Sequence, residues 1–379
     1  MAPSFDFSED QAMLRAEVRR FAVERIRPGI AERDRNHQFP LEILAEMGEL
    51  GLLGMMVGER HGGPGLDALT YCLAVEEVAA VCPATAVTMS VTNSVCSWPL
   101  DQFGNEELKA RVLPELASGE AIGGFGLTEP GSGSDAGSMK TRARLEGDEW
   151  VLDGEKAWIT NASFGRYFVV VAVTDSAAGT RGISAFLVPS DAPGFSVGAP
   201  EEKLGLKASN TAALYFNECR IPVGNLLGQV GQGFRIALAT LDHSRLGIAA
   251  QCLGIHRRAL ELAVSYAKER RQFGVPIAQH QMIVFKIAEM ATSLEAARAL
   301  TYAAALDHGP SAGRMASQAK LFASEAANKA VWESLQIHGG NGFGEDYEIA
   351  RLYRDVRVTT IYEGTSEMQR IVIARHLLR

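Results

Sequence analysis

The sequence predicts an α+β protein in which a helical N-terminal domain, a middle β-domain and a C-terminal helical bundle follow one another. Two observations support this prediction. The hydrophobic pattern is helical at first, changes to short strands, and then returns to long helical repeats. The chain of 379 residues is long enough for two or three domains of about 150 residues each. We expect the domains to span residues 1–120, 121–228 and 229–379.

The first zone begins with a capped helix and ends near residue 120. Ser8 can cap this helix, and Met13, Val18 and Phe21 follow at helical spacing. Residues 78–100 carry no charge, but they contain two prolines and many Ser, Thr and Asn residues, which a lipid-facing span would not. We interpret this stretch as a buried helix and expect no membrane span.

The second zone contains short strand candidates separated by Gly, Pro and Asp. Residues 149–159 (EWVLDGEKAWI) are interpreted as two strands around an Asp-Gly turn. Further strands are expected at residues 167–173, 183–188 and 212–216. Several short strands at this spacing favour a compact barrel or sandwich.

The third zone returns to long amphipathic helices. Two rows of apolar residues recur at spacings of three and four, as expected for helices that pack in a bundle. The second helix runs toward Gly339 and Gly340, which are a stop signal. The rows are Ile283, Ile287, Met290, Leu294 and Ala297, and then Met315, Ala319, Phe322 and Ala326.

Composition and charge exclude several classes of protein. The net charge is −8 and no run of Lys and Arg stands out, so a nucleic-acid partner is disfavoured. The five cysteines are scattered and form no CxxC pair, and no HExxH motif occurs, which argues against a disulfide framework and a zinc site. The first residues lack the features of a signal or transit peptide.

One glycine-rich segment stands out at the transition from helices to strands. Residues 125–135 (FGLTEPGSGSD) combine glycines with hydroxyl groups and an acid. Glycine lets backbone N–H groups approach an anion closely, and hydroxyl groups add donors. The spacing and context fit neither a dinucleotide-binding GxGxxG motif nor a P-loop. The segment is either a ligand-binding loop or an ordinary connection between domains.

A second segment places an acid just before the last helix. In residues 361–369 (IYEGTSEMQ), Glu363 lies between a tyrosine and a glycine. A partly desolvated carboxylate has a raised pKa and can act as a general base. The alternative is that Thr365 or Ser366 only caps the final helix and Glu363 faces solvent.

Three further segments are open to a functional and a structural interpretation. Trp158 and the residues after it could meet a flat aromatic ring or could lie in the core. Residues 270–274 (RRQFG) and 336–342 (QIHGGNG) could bind a phosphate or could end helices. None of the eight histidines belongs to an HxxxH or HExxH motif, so a catalytic triad or a metal site is weakly supported.

Taken together, these segments resemble the acyl-CoA dehydrogenase family over essentially the whole chain. The motifs GLTEPGSGSD, WITN, RRQFG with a following HQ, QIHGGNGF and YEGTSEMQR occur in the order and spacing of that family. The resemblance implies a homotetrameric flavoprotein whose C-terminal domain is a four-helix bundle. It also implies that FAD lies between the middle and C-terminal domains.

The resemblance assigns cofactor contacts to two groups of residues. The isoalloxazine and pyrophosphate of FAD would contact Phe125, Leu127, Thr128, Gly133, Ser134, Trp158, Ile159 and Thr160. The FAD of a neighbouring subunit would be reached by Arg270, Phe273, Gln281, Gln336, Ile337, His338, Gly339 and Gly340. The ADP part would lie near Thr365 and Glu367.

The resemblance also assigns the reaction. Glu363 would take the α-proton of an acyl-CoA thioester while the β-hydride leaves for flavin N5, giving a trans-2-enoyl-CoA. Some branches of the family carry the base on the long C-terminal helix, where this chain has Ser244, which cannot serve. Glu363 therefore remains the candidate. The substrate would be contacted by Ser134, Asp242, Ser244, Arg245, Tyr362 and Gly364.

Substrate length is less tightly specified. Residues 84–95 and the segment EEKLGLKASNTAAL resemble the short-chain, butyryl-CoA dehydrogenase branch. No cation occurs in residues 84–95, which disfavours a substrate with a second carboxylate. Medium-chain and short branched acyl groups stay open, because one methylene changes binding by only about 1 kcal/mol.

The resemblance also implies an electron acceptor and a location, and it leaves alternative classes of protein to consider. An electron-transferring flavoprotein is the expected acceptor of the electrons, and a bacterial cytoplasm is the expected location, or the mitochondrial matrix for a processed eukaryotic chain. Acyl-CoA oxidases are commonly much longer than this chain, and nitroalkane oxidases place an Asp where Glu363 stands, so both classes are disfavoured. A catalytically silent flavin-binding member would be expected to have lost this glutamate.

Overall fold

The N-terminal part of the protein is helical, as predicted. The structure is a computed structural model that describes residues 7–378. Ser8 caps the first helix through a capping box with Gln11, which confirms the predicted start. The helices are α1 (Glu9–Phe21), α2 (Ile30–Arg35), α3 (Leu41–Glu49), α4 (Ala68–Val81), α5 (Pro83–Val91), α6 (Trp98–Phe103) and α7 (Glu106–Ala117).

The uncharged stretch at residues 78–100 is buried, but its interpretation as a single helix is wrong. Cys82 has an extended backbone between α4 and α5, because Pro83 disfavours a helical conformation in the residue before it. A π-helical segment, Thr92–Ser97, then joins α5 to α6. No helix in the described part of the chain is long and apolar enough to cross a membrane.

The middle part contains a mixed eight-stranded sheet. Strand β1 pairs in parallel with β4, off the path of the other strands, which follow the order β6-β7-β3-β2-β4-β5-β8. The strands are β1 (Gly123–Gly126), β2 (Arg142–Glu146), β3 (Glu149–Thr160), β4 (Tyr167–Val173), β5 (Ile183–Pro189), β6 (Phe195–Val197), β7 (Thr211–Pro222) and β8 (Leu226–Leu227).

The predicted turn at Asp153 and Gly154 is wrong. Residues 149–160 form one continuous strand, and its pairing with β7 shifts register between Leu152 and Gly154, which marks a β-bulge. Gly154 has a φ of 141°, and a Cβ there would lie 2.7 Å from Thr141 atoms, so the bulge requires glycine. The hairpin turn instead joins β2 to β3, where Gly147 has a φ of 64°.

The C-terminal part is a bundle dominated by three long helices. Between the first two lies a small hairpin of β9 (Arg271–Gln272) and β10 (Val275–Pro276). Met290, Leu294 and Ala297 are buried as predicted, whereas Phe322 is exposed and the buried row of its helix consists mainly of alanines. The helices are α8 (Gly233–Glu269), α9 (Gln281–Ala305), α10 (Ala312–His338), α11 (Glu348–Val356) and α12 (Ser366–Leu377).

Helix α8 connects all three parts of the protein. Its first turns pack on the sheet through Ile236 and Ala237, and its middle packs on α4 and α5 within the main apolar core. Its second half packs against α9 and α10. Residues near the middle of α8 therefore lie where the three parts meet. All five cysteines are buried free thiols.

Candidate active site

The candidate base lies in a left-handed turn between α11 and α12. Glu363 has a φ of 54° and Gly364 a φ of 88°. Thr365 caps α12 by accepting from the Met368 N–H at 3.3 Å, as expected. The amide of Gln369 donates to the backbone oxygens of Glu363, at 3.1 Å, and of Gly364, at 2.9 Å. The Gln369 side chain of α12 thus holds the turn in a backbone conformation that a glutamate rarely adopts.

The Glu363 carboxylate points to α8 and is half-buried. Ser244 donates its hydroxyl to Glu363 Oε2 at 2.5 Å. Burial raises the pKa of Glu363, while the Ser244 hydrogen bond and the charges of Arg245 and Lys320 act in the opposite direction. The capping role of Thr365 and the half-buried position of Glu363 therefore occur together.

Three predicted substrate residues lie on the same part of α8. Arg245 is buried and donates to the Asp242 carboxylate, and also to the Ser317 hydroxyl at 3.0 Å. Burial lowers the pKa of Arg245, and Asp242 opposes this change. Asp242 lines a cleft of about 510 Å³ between α6, α8 and the start of α10.

Tyr362 is fixed on the other side of the base. Its hydroxyl donates to Gln251 Oε1, and Gln251 Nε2 donates to the Pro83 carbonyl at 2.9 Å. Burial raises the pKa of Tyr362 well above its ordinary value, so the phenol stays protonated as a donor. The base is therefore braced against both α8 and the start of α5.

The glycine-rich segment after β1 is held on β3 by a buried ion pair. Lys156 Nζ donates to Glu129 Oε1 at 2.8 Å and to the Leu127 carbonyl at 3.1 Å. The same carboxylate accepts the Thr141 N–H at 2.9 Å, and the Ala157 N–H donates to the Thr128 carbonyl at 2.9 Å. These bonds fix the start of the segment, while nothing lies within 4 Å of a Cβ built on Gly133.

An aromatic surface lies next to this segment. Trp158 has a φ of 61°, and its side chain is 60% exposed although Lys156 and Ile159 of the same strand are buried. Phe125 and Thr160 are half-buried, Ile159 is buried and Ser134 is exposed. Leu127 shares an apolar cluster with Leu241 of α8, so the segment adjoins the part of α8 that carries Ser244. The predicted loop and base therefore belong to neighbouring regions.

The remaining predicted cofactor residues gather elsewhere. His338 stacks on Tyr266 at 4.3 Å, which brings the ends of α8 and α10 together. Arg270 directly follows α8, 26 positions after Ser244, and therefore lies about 39 Å from it. The exposed members of this group are Arg270, Phe273, Gln281, Gln336, Gly339 and Gly340, while Ile337 and His338 are buried. Glu367, at the start of α12, is also exposed.

Sequence reasoning did not single out several residues that shape the site. Lys320 donates to the Gly364 carbonyl at 2.8 Å, and Gln369, Gln251 and Ser317 make the contacts described above. Lys320 is a lone cation in the buried alanine row of α10, and this pattern could have indicated it. Gln251 and Ser317 are ordinary polar residues on helices, and no sequence signal distinguishes them.

Comparison with known proteins identifies the family. Three family models match the chain: the N-terminal, middle and C-terminal domains of acyl-CoA dehydrogenase, at residues 8–120, 124–219 and 231–378. The mouse mitochondrial short-chain specific acyl-CoA dehydrogenase is 49% identical over 99% of this chain and 92% of its own.

Solved structures agree. Butyryl-CoA dehydrogenase from Megasphaera elsdenii superposes with a TM-score of 0.97 at 40% identity, covering 99% of this chain and 100% of its own. An acyl-CoA dehydrogenase from Bacillus anthracis complexed with FAD has a TM-score of 0.93 at 37% identity, covering 100% of this chain and 68% of its own. The chain belongs to the acyl-CoA dehydrogenase family. It is an oxidoreductase that dehydrogenates acyl-CoA, and the predicted α+β fold is confirmed.

Proposed function

We propose that the protein converts short-chain acyl-CoA thioesters to trans-2-enoyl-CoA, with FAD as the hydride acceptor and Glu363 as the acceptor of the α-proton. The observation that carries this proposal is the position of Glu363, held by Ser244 on α8 between the middle and C-terminal parts. A carboxylate in this partly desolvated position is a stronger base than one in water, because burial raises its pKa.

FAD fits the residues around Trp158. A flat aromatic ring system needs an apolar face and nearby hydrogen-bond donors, and the exposed indole beside Thr160 and the open glycine-rich segment offers both. When bound, FAD supplies the acceptor for the hydride that leaves the β-carbon. We assign its isoalloxazine and pyrophosphate to Phe125, Leu127, Thr128, Gly133, Ser134, Trp158, Ile159 and Thr160.

Removal of the α-proton requires stabilisation of the charge that develops on the thioester oxygen. The backbone N–H of Glu363 has no acceptor among residues 7–378 and is therefore available to that oxygen. Loss of one such donor typically costs about 3–4 kcal/mol of activation free energy. The left-handed turn thus positions both the base and a donor, through one residue.

The substrate is assigned to the surroundings of the base. Asp242, Ser244 and Arg245 of α8 would bind the thioester and the adjoining part of coenzyme A, and Tyr362, Gly364 and Ser134 would complete the site. Short acyl chains are favoured by the short-chain relative, and the absence of a cation in residues 84–95 disfavours a substrate with a second carboxylate. Medium-chain and short branched substrates are the alternatives, together with a silent flavin-binding role.

A second copy of the chain would complete the cofactor site. Arg270 lies about 39 Å from Ser244, because most of α8 separates them, and His338, next to Gly339, stacks on Tyr266 near the same end of α8. They cannot reach a flavin beside Glu363 of the same chain, but they can reach one in a neighbouring subunit. The family resemblance implies a homotetramer, and we propose that Arg270, Phe273, Gln281 and residues 336–340 serve the FAD of a neighbouring subunit in it, with Thr365 and Glu367 near the ADP part.

The test is flavin reduction without oxygen. The visible spectrum of the FAD-loaded enzyme is recorded before and after stoichiometric butyryl-CoA, for the wild type and for Glu363→Gln. We expect rapid bleaching in the wild type and none in the variant, with FAD content unchanged in both. Glu49→Gln, at an exposed position on α3, is the control and should behave as the wild type. A Glu363→Gln enzyme that reduces its flavin at a near wild-type rate would refute the assignment of the base.

The electron acceptor needs a separate experiment. We propose that the reduced enzyme passes its electrons to an electron-transferring flavoprotein. Reoxidation is followed after adding either that protein or air-saturated buffer to the substrate-reduced enzyme. Fast reoxidation by the flavoprotein and slow reoxidation by oxygen are expected, and the reverse order would indicate an oxidase.

A further inference from the structure

Lys320 is a buried cation that the proposed reaction leaves without a role. It lies on α10, its side chain is fully buried, and Ala316, Ala319 and Ala323 surround it along the helix. Burial of an ammonium group among alanines is unfavourable unless it is paired. Its only hydrogen-bond acceptor among residues 7–378 is the carbonyl of Gly364, at 2.8 Å.

This contact is made to the residue next to the base. Gly364 O also accepts from Gln369 at 2.9 Å, so α10 and α12 hold the same carbonyl from two directions. Two turns further along α10, Asn328 donates to the Val356 carbonyl at 3.2 Å. Helix α10 therefore holds both the start and the end of the segment that carries Glu363.

We propose that Lys320 is a positioning residue for proton abstraction: it fixes the Glu363 turn through the Gly364 carbonyl and places a positive charge beside the Glu363 carboxylate. This inference rests on the function proposed above, in which Glu363 is the base. Lys320 does not contact substrate in this proposal and acts only through Glu363.

The electrostatics agree with this role. Burial lowers the pKa of Lys320 to about 8, so the ammonium is still charged at neutral pH. Its charge and that of Arg245 lower the pKa of Glu363, against the larger effect of burial. The other titratable or charged groups that act on this pair are Tyr71 of α4, Cys252 of α8, Glu325 of α10, Glu367 of α12 and Tyr362.

The experiment is a pH series of single-turnover flavin reduction by butyryl-CoA, from about pH 5.5 to about pH 9. Lys320→Met removes both the charge and the donor, Lys320→Gln removes the charge and keeps an N–H donor on a shorter side chain, and Lys320→Arg keeps the charge. Lys329→Met is the matched control, because Lys329 is an exposed lysine on the same helix that pairs with Glu289 at 3.1 Å.

We expect Lys320→Met to be about tenfold slower than the wild type at about pH 6, because the loss of a nearby positive charge raises the pKa of Glu363. The difference should shrink above about pH 8, where Lys320 of the wild type loses its own charge and Glu363 is ionised in both enzymes. Lys320→Gln should follow the same trend, while Lys320→Arg and Lys329→Met should keep the wild-type pH profile.

Each other outcome is decisive. A loss by the same factor at every pH would indicate a purely structural role and overturn the proposal, as would neutral variants that yield no FAD-loaded protein. A wild-type profile in Lys320→Met would overturn it as well. Glu363→Gln is measured in parallel: if that variant reduces its flavin normally, the proposed function fails, whereas an inactive Glu363→Gln beside an unaffected Lys320→Met refutes only the inference on Lys320.

Discussion

A buried carboxylate that joins three helices should make the protein sensitive to acid. Glu77 of α4 is fully buried and accepts from Arg15 Nε at 2.7 Å, from Arg19 Nε at 2.9 Å and from Arg257 Nη2 at 2.6 Å. Arg15 and Arg19 belong to α1, and Arg257 belongs to α8, so this one side chain joins the N-terminal helices to the long C-terminal helix. Its replacement by glutamine, Glu77→Gln, keeps the shape and removes the charge.

The size of the effect follows from the pKa. Burial alone would raise the pKa of Glu77, but the hydrogen bonds and charges of the arginines outweigh it and hold the pKa at about 2, against 4.5 for an ordinary glutamate. A difference of about 2.5 units corresponds to about 3 kcal/mol of unfolding free energy. Because the folded-state pKa is lowered, this contribution is present above about pH 4.5 and is lost as the pH falls toward about 2.

The assay is urea denaturation of the FAD-loaded protein at a fixed protein concentration, at neutral pH and at steps down to about pH 3. Glu77→Gln should be less stable than the wild type by about 3 kcal/mol at neutral pH, and the gap should narrow in acid. Glu46→Gln, which removes the half-buried partner of the exposed Arg25, should change stability by less than about 0.5 kcal/mol. A gap between wild type and Glu77→Gln that stays constant with pH would refute this reasoning.

Two further predictions concern the active site. Lys156→Met should destabilise the protein by about 3–5 kcal/mol, because it leaves the buried Glu129 carboxylate without its cation. The loss of stability is measured by FAD release during a urea titration. A Glu129→Gln/Lys156→Met double variant that is less stable than Lys156→Met would contradict this prediction. Ser244→Ala should shift the acidic limb of the pH profile of flavin reduction to higher pH, because the hydrogen bond from the Ser244 hydroxyl lowers the pKa of Glu363. An unshifted profile would show that Ser244 does not act on the base.

The sequence predicted the order of the three parts because the middle part has the hydrophobic period of strands, whereas the parts before and after it have the period of helices. It failed where pairing between distant segments decides the local structure. The Asp-Gly pair at 153 and 154 is the strongest short hairpin signal in the middle zone, yet β7 runs alongside all of β3 and converts the pair into a bulge. The partner of Gly154 on β7 is Phe216, and a residue so distant in the sequence is not visible in a local pattern.

The sequence likewise predicted some residues of the candidate site and not others. Residues in compact motifs, such as Glu363 and Ser244, were recognised by resemblance, and the structure places these two in contact. Their surroundings were not recognised, because Gln251 and Lys320 come from helices with no distinctive motif. Their importance arises from contacts with the chain near Glu363, more than 40 positions later in the sequence.

The backbone of Glu363 explains why such a support is needed. A non-glycine residue in the left-handed region is unfavourable by about 1–3 kcal/mol, so an isolated turn would relax and withdraw the carboxylate from α8. Gln369 and Lys320 hold the two carbonyls of the turn, and Ser244 receives the carboxylate. The base is therefore positioned before any substrate arrives, and its conformational entropy is lost during folding and not during the reaction. We accordingly expect variants of these supporting residues to affect the rate of proton removal more than the binding of butyryl-CoA.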